Sequence, residues 1–415
     1  MAQVEVGGAP PQDGAGQALV PLRRNWRFQA LWAGSAASML GARMADTAYP
    51  LLLLAMTGSS AMAGAFGGVQ MTASLVFGVH GGSTADRHDR RTVLIIADGV
   101  RCLVTCSIPV ALWLHCLTVV QTLLVAVVIG AATAYTGPTR LLAVRSVVPK
   151  AQLRQALSQD EARANGSSLL GPPIAGFLFG VGRQAPFLGT AFGSLVAFAA
   201  ACVVRFDTAG AGGGRPRGSA LEGFRYLVHS RDLRPTLAVA CVLNLCSTAL
   251  VLPVIVLLRS HGTHTGGIGL ALSGEAVGGI LGALLIGRLH RLMGPGKLLL
   301  ASTWICVPLF FAPLLPGGAV TVFLALVVTM LSMPALRVMV DVLIFQQVED
   351  ELRGRVVAAT MMLFMLGVPA GMFGSGLLLD WFSPGATLAF FAALLAAALV
   401  PATLSRRLRG AVWPA

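Results

Sequence analysis

Asp46 and Glu275 are carboxylates set inside long apolar runs of a 415-residue chain. Ionising a group in the middle of a membrane helix costs about 2.5–3.5 kcal/mol. A carboxyl there favours its neutral form, so it could take a proton from one side of a barrier and release it to the other. The plainer reading of each is a polar residue that wets a cavity or touches a substrate. Glu275 has no cation at helical spacing, its neighbours being Ala271, Leu272, Gly278 and Gly279, whereas Asp46 has Arg43 three residues before it.

Further charges interrupt the apolar runs: Asp98 and Arg101, Glu161 and Arg163, Arg337 and Asp341. Spacings of three or four share a helix face, so most of these read as locally satisfied pairs that support the others. Glu161 also suits a substrate entrance or an interdomain contact. A flexible, polarisable wall for a bulky amphipathic molecule could come from Met44, Tyr49, Met71, Phe77, Trp304, Phe310, Phe311, Met361, Met362, Phe364 and Met365, although core or lipid contact is the ordinary use of such residues. No phosphate-binding glycine loop is present, and the seven cysteines have no zinc-ligand spacing with histidines. No metal or other cofactor is therefore expected, and nucleotide-driven transport is disfavoured.

The elements that must position these residues are membrane helices. Apolar residues make up 55% of the chain and charged residues 11%, with a mean hydropathy of +0.77. Hydropathy suggests twelve spans at about 28–56, 60–82, 92–114, 118–138, 157–181, 185–205, 234–258, 267–288, 297–315, 318–341, 356–378 and 385–404. With the N-terminus in the cytoplasm, 24 of the 30 Lys and Arg fall in segments on that side, and Arg183 and Arg259 are the cations of the opposite loops. This bias puts both termini inside. It also accounts for the net charge of +13 without nucleic acid, anionic lipid being the expected partner.

The longest polar break divides the spans six and six. The expectation is an all-α membrane protein of two pseudo-symmetric six-helix bundles, 28–206 and 234–405. A disordered tail at 1–27, a cytoplasmic linker at 207–233 and a basic tail at 406–415 complete it. Within the linker, Leu221, Phe224, Leu227 and Val228 oppose Glu222, Arg225 and His229, the pattern of a short amphipathic helix on the inner surface. Two bundles around a linker are the plan of a transporter with its site where the halves meet.

Between the second and third spans the chain reads "GGSTADRHDRR". From Gly82 this resembles the signature loop of the major facilitator superfamily, with Asp86-Arg87 and the basic pair Arg90-Arg91 in place and Asp89 standing where the general pattern has glycine. The form "DRxDRR", the first-span stretch around Leu40-Gly41 and Pro50, and "VEDELRGRVVAAT" resemble the drug-exporting branch that includes macrolide efflux proteins and the enterobactin exporter. "NGSSLLGPPIAG" resembles that superfamily's antiporter signature through Gly171, Pro172 and Gly176, and its prolines should kink the fifth helix. The resemblance implies that Asp86 locks onto the start of the eleventh helix near Gly354, Arg355 and Val356, a charged seam between two access states. It further implies a monomeric, proton-coupled exporter of an amphipathic small molecule (an antibiotic, siderophore or other secondary metabolite) in a bacterial cytoplasmic membrane. The rivals are a nutrient importer or facilitator on the same fold, and a membrane enzyme or non-transporting sensor.

Overall fold

A computed structural model describes residues 21–204, 220–230, 233–292, 294–331 and 350–404, with single positions between 333 and 348. The chain is helical throughout these segments: α1 (Trp26–Thr57), α2 (Ser60–Arg87), α3 (Arg90–Trp113), α4 (Val119–Val147), α5 (Leu153–Val181) and α6 (Ala185–Val203). After these come α7 (Ala220–His229), α8 (Leu233–Ser260), α9 (Thr265–Leu272), α10 (Gly274–Leu292), α11 (Pro295–Leu309), α12 (Gly318–Met330), α13 (Asp350–Trp381) and α14 (Pro384–Leu404).

Among the described residues, nine helices are long and apolar enough to cross a membrane. α1 and α5 have the length, at 32 and 29 residues, but carry the charges that line a cavity. Thirteen residues of α12 are described, and Asp341 lies outside the described residues. Several helices outrun the hydropathy spans: α2 to Arg87, α4 to Val147 and α13 back to Asp350. The bilayer limits the apolar part of a helix and not its hydrogen-bonded length, so solvated turns continue until a cap ends them.

Those caps were written in short polar residues. The Asn25 side chain accepts from Phe28 N at 3.2 Å at the start of α1, and Thr118 does the same for Gln121 N at the start of α4. Gly58, at φ 69°, closes α1 in the left-handed conformation that favours glycine, and Ser59 immediately caps α2.

Among the first six helices, α2 packs on α4, α6 on both α1 and α3, and α5 on α1. Small residues allow it: a Cβ at Gly130 of α4 would stand 2.1 Å from the Gln70 carbonyl oxygen, and one at Gly193 of α6 2.3 Å from that of Ala37. In the later helices α8 packs on α13 and α14, and α10 on α12. The short helix α7 buries Leu227 and packs against α13, leaving Phe224 and Val228 exposed.

Two seams join the earlier helices to the later ones: α2 against α13, and α5 against α9. Their close approaches lie at the start of α2, the end of α13, the end of α5 and the start of α9. All four are the ends remote from the arginine-rich loops.

A candidate transport chamber among the first six helices

A cavity of about 350 Å3 lies between α1 and α6. Ser38, Arg43 and Asp46 of α1 line it with Gln70 and Met71 of α2, Arg101 and Thr105 of α3, Thr136 and Arg140 of α4, Asp160 and Arg163 of α5, and Ser194 of α6. Each helix turns its polar side inward, as an apolar solvent outside demands.

Arg43 Nη1 donates to Asp46 Oδ2 at 3.3 Å, and the two side chains are 44% and 40% exposed. A pair so open to water is held by only about 0.2–1 kcal/mol, so a proton can compete with the arginine. Asp46 also borders a second, smaller space at the seam, lined by Gly64 and Gly67 of α2, Thr248 and Leu252 of α8, and Met372 of α13. It therefore stands between the chamber and the closed end.

Glu275 follows a one-residue break at Ser273 that divides the expected eighth span into α9 and α10. Sequence spacing left it without a cation. Arg43 and Asp46, from the other half of the chain, lie within electrostatic range of it. Asp46 pairs with Arg43 directly, and Glu275 feels the same arginine only through space.

Asp98 differs from both. Its side chain is 2% exposed and accepts from Arg101 of its own helix and from Arg140 of α4 at 2.8 Å to each oxygen. Arg101 also donates to Ser38 Oγ. Two guanidiniums on one buried carboxylate make a clamp joining α1, α3 and α4. The spacing of Asp98 and Arg101 foretold half of it, whereas Arg140 was not singled out. On α5, Arg163 bonds Asp160 at 2.7 Å, one position from the expected Glu161, which is exposed. An i,i+3 pair shares a face and an i,i+2 pair does not. Arg337 is exposed.

The aromatic and methionine wall is largely elsewhere. Met71 lines the chamber. Met44, 3% exposed, is instead packed against Gly189 of α6. Tyr49 is fully buried, stacked on Phe66 at 3.9 Å and edge-on to Phe187 at 4.9 Å, so it knits α1, α2 and α6 together. Both are core residues, because these helices approach too closely there to leave a space. Phe310 is likewise buried. Trp304 donates to Thr403 Oγ1 at 2.9 Å, joining α11 to α14. Phe311, Met361, Met362 and Met365 are exposed, and Phe364 is half-buried.

The family model described as transmembrane secretion effector matches residues 16–411 of this chain. The chain belongs to that family, a drug-exporter branch of the major facilitator superfamily. Secretion-effector relatives include the multidrug efflux pump Tap of Mycobacterium tuberculosis, 30% identical over 358 residues, 80% of this chain and 82% of that one. Macrolide efflux protein A of Streptococcus pyogenes is 24% identical over 386 residues, 88% of this chain and 94% of that one. In fold, this secretion-effector chain resembles the nucleoside transporter NupG with a TM-score of 0.76 at 13% identity, over 91% of this chain and 98% of that one. It also resembles a bacterial homologue of the iron transporter ferroportin in an inward-facing state, with a TM-score of 0.68 at 15% identity, over 91% and 97%. The protein is a multi-pass membrane transporter.

The signature motif of this secretion-effector chain is helix for most of its length. Gly82 to Arg87 complete α2, and the turn is made at His88 and Asp89. Asp89, the departure from glycine, caps α3 by accepting from Arg91 N at 3.3 Å and from Thr92 N at 3.2 Å. Arg91 reaches across to the sixth helix. It donates to the Cys202 carbonyl at the end of α6, where a cation suits the exposed carbonyls. Arg90 is half-buried at the first position of α3, and the side chains of Asp86 and Arg87 lie outside the described residues.

Of the three kink residues of the fifth helix, Pro172 and Gly176 lie at a seam, whereas Gly171 packs on α1 within the first six helices. Gly171 faces the backbone of Arg43, Gly176 faces the Thr265 carbonyl, and Pro172 presents its carbonyl to Gly269 of α9. At the other seam a residue absent from the sequence expectations appears. Asp380, near the end of α13, accepts from Ser59 Oγ at 2.8 Å, Ser60 N at 2.7 Å and Ala61 N at 3.1 Å, so its carboxylate caps the start of α2. A carboxylate on free backbone amides is a charge-assisted bond worth about 1.5–3 kcal/mol. Replacing Asp380 by alanine should speed labelling of a cysteine placed at Ala61 by a membrane-impermeant maleimide several-fold. Equal labelling would mean that the contact holds nothing shut.

Proposed function

We propose that this chain exports amphipathic small molecules, such as antibiotics or other secondary metabolites, from a bacterial cell by proton antiport with alternating access. The observation that carries the reading is the place of Asp46: exposed to the chamber on one side, bordering the closed seam on the other, and held by a single open ion pair. A carboxyl so placed can meet protons from one face and yield them to the other as the seams part. Glu275, within electrostatic range of it and of Arg43, would feel any change in its charge.

The efflux functions named for the mycobacterial and streptococcal relatives support the direction and the class of cargo. The arginine-rich loops are assigned to the cytoplasm, which makes the described conformation one closed to the outside, and residues 28–206 and 234–405 are the two moving bundles. Asp86 gates the cytoplasmic side in the opposite state. The working unit is a monomer surrounded by anionic lipid, and it performs no covalent chemistry.

Inside-out vesicles with an imposed pH gradient test this. A lipophilic drug such as a macrolide should accumulate only while the gradient stands, and Asp46→Asn should abolish that accumulation. Glu275→Gln should reduce it. Flux indifferent to pH, or full gradient-driven transport by both variants, would sink the antiport reading.

A further inference from the structure

Among the described residues, one cluster in the chamber wall carries a charge that its immediate ion partners do not balance. Arg101, Arg140 and Arg163 all line it, and Arg140 lies within electrostatic range of each of the others. Asp98 answers Arg101 and Arg140 together, and Asp160 answers Arg163. Glu161, the next acid on α5, is exposed and does not line the chamber. Asp46 is bound to Arg43, and Glu275 does not line the chamber. Among the described residues, the Asp98 cluster, two guanidiniums on one carboxylate, therefore carries one positive charge at membrane depth, where an uncompensated ion is expensive.

Two polar atoms of the same wall also lack a partner among the described residues. Arg101 Nε and Thr105 Oγ1 are buried without a hydrogen bond, in residues 8% and 1% exposed and one turn apart on α3. Both residues line the chamber. Buried donors are nearly always satisfied in folded proteins, and an unsatisfied pair on residues that line a cavity calls for a partner, which a bound ion or polar group can supply. A guanidinium with a hydroxyl beside it is chemistry for an anion, since it offers charge and directed donors at once.

We infer that the chamber binds an anionic group of its cargo, a carboxylate, sulfonate or phosphate ester, between Arg101 and Thr105. The cargo is then an acidic or zwitterionic amphiphile. Its charge neutralises the wall, and its apolar body lies toward Met71 and the seam. This rests on the chamber being the transport site proposed above.

The test is equilibrium binding with no gradient imposed. The full chain in phosphatidylcholine nanodiscs is titrated, against empty discs, with anilinonaphthalene sulfonate and with phenylnaphthylamine, which has the same rings and no sulfonate. The wild type should prefer the sulfonate by about tenfold or more, the equivalent of one charge-assisted bond. Thr105→Val leaves every ion pair intact and should weaken the sulfonate several-fold without changing the neutral probe. Arg101→Gln should erase the preference, and Arg101→Lys should retain most of it. Equal affinity for the two probes in the wild type, or a preference unchanged in Thr105→Val and Arg101→Gln, overturns the assignment. Loss of the preference on adding phosphatidylglycerol to the discs would overturn it too, by giving the site to a lipid headgroup. A chain without sulfonate preference that still exports along a pH gradient loses only the anion site. One that shows the preference but no gradient-driven flux keeps that site and loses the antiport reading.

Discussion

Gly269→Val will yield a folded transporter that cannot close the end remote from its arginines. A Cβ at Gly269 would stand 2.2 Å from the carbonyl oxygen of Pro172, and one at Gly176 would stand 2.2 Å from that of Thr265. The obstacles are backbone atoms of the opposing helix, which cannot rotate away as a side chain can. Closing over the added isopropyl group means moving α5 from α9, an overpacking cost of about 1–3 kcal/mol. Since the helices are apart in the open state, the penalty falls on one state alone, and about 1.4 kcal/mol shifts the equilibrium tenfold. Spin labels at Arg183 and His261, in the loops bordering this seam, would report the change as a longer distance. Gly279 lies in the same span with nothing within 4 Å of its Cβ position, so Gly279→Val should leave the distance alone. A distance unchanged in Gly269→Val would show that the seam has slack.

The second large effect belongs to Asp98. Replaced by asparagine, it leaves Arg101 and Arg140 facing each other with side chains 9% and 21% exposed. Removing one member of a buried ionic cluster costs about 3–5 kcal/mol, most of it the cost of the charges left behind. Asp98→Asn should therefore lower stability by that amount in an unfolding equilibrium in bicelles. Adding Arg101→Gln to it should restore more than half, because one of the stranded charges goes. The same Asp98→Asn protein, where it folds, should bind an anionic probe more tightly than the wild type. A single variant as stable as the parent would show that Asp98 was not compensating either arginine.

The lines along which the chain betrayed its structure are uneven for a physical reason. Hydropathy exposes the cost of placing a residue in lipid, so the spans and the odd charges within them could be read directly. Local spacing exposes what one helix does by itself, so Arg43 with Asp46, and Asp98 with Arg101, were legible as pairs. Arg140 on Asp98 and Asp380 on Ser60 are meetings between helices far apart in the chain. They depend on which face each helix turns to its neighbour, and that is decided by packing. Met44 and Tyr49 were misread on the same account: a large side chain in a membrane helix looks alike whether it faces a cavity or a core. Asp89 carries a local signal of its role, a short acidic residue just before a helix start.

The seams that join the two halves are made of glycine against backbone: Gly64 under Met372 and Gly376, Gly176 and Gly269 against α9 and α5. At these points the opposed faces are smooth and can slide, and the knobs beside them, Met372 and Phe373 of α13 over Gly67 and Gly68 of α2, are few, so the seams act as bearings. A bearing also separates two demands on a transporter's inheritance. The chamber wall can accept new side chains and hence new cargo while the surfaces that carry the motion stay untouched. Across the lineage, variation should therefore gather on the chamber faces of α1 and α3, and the glycines of the two seams should be the positions that tolerate none.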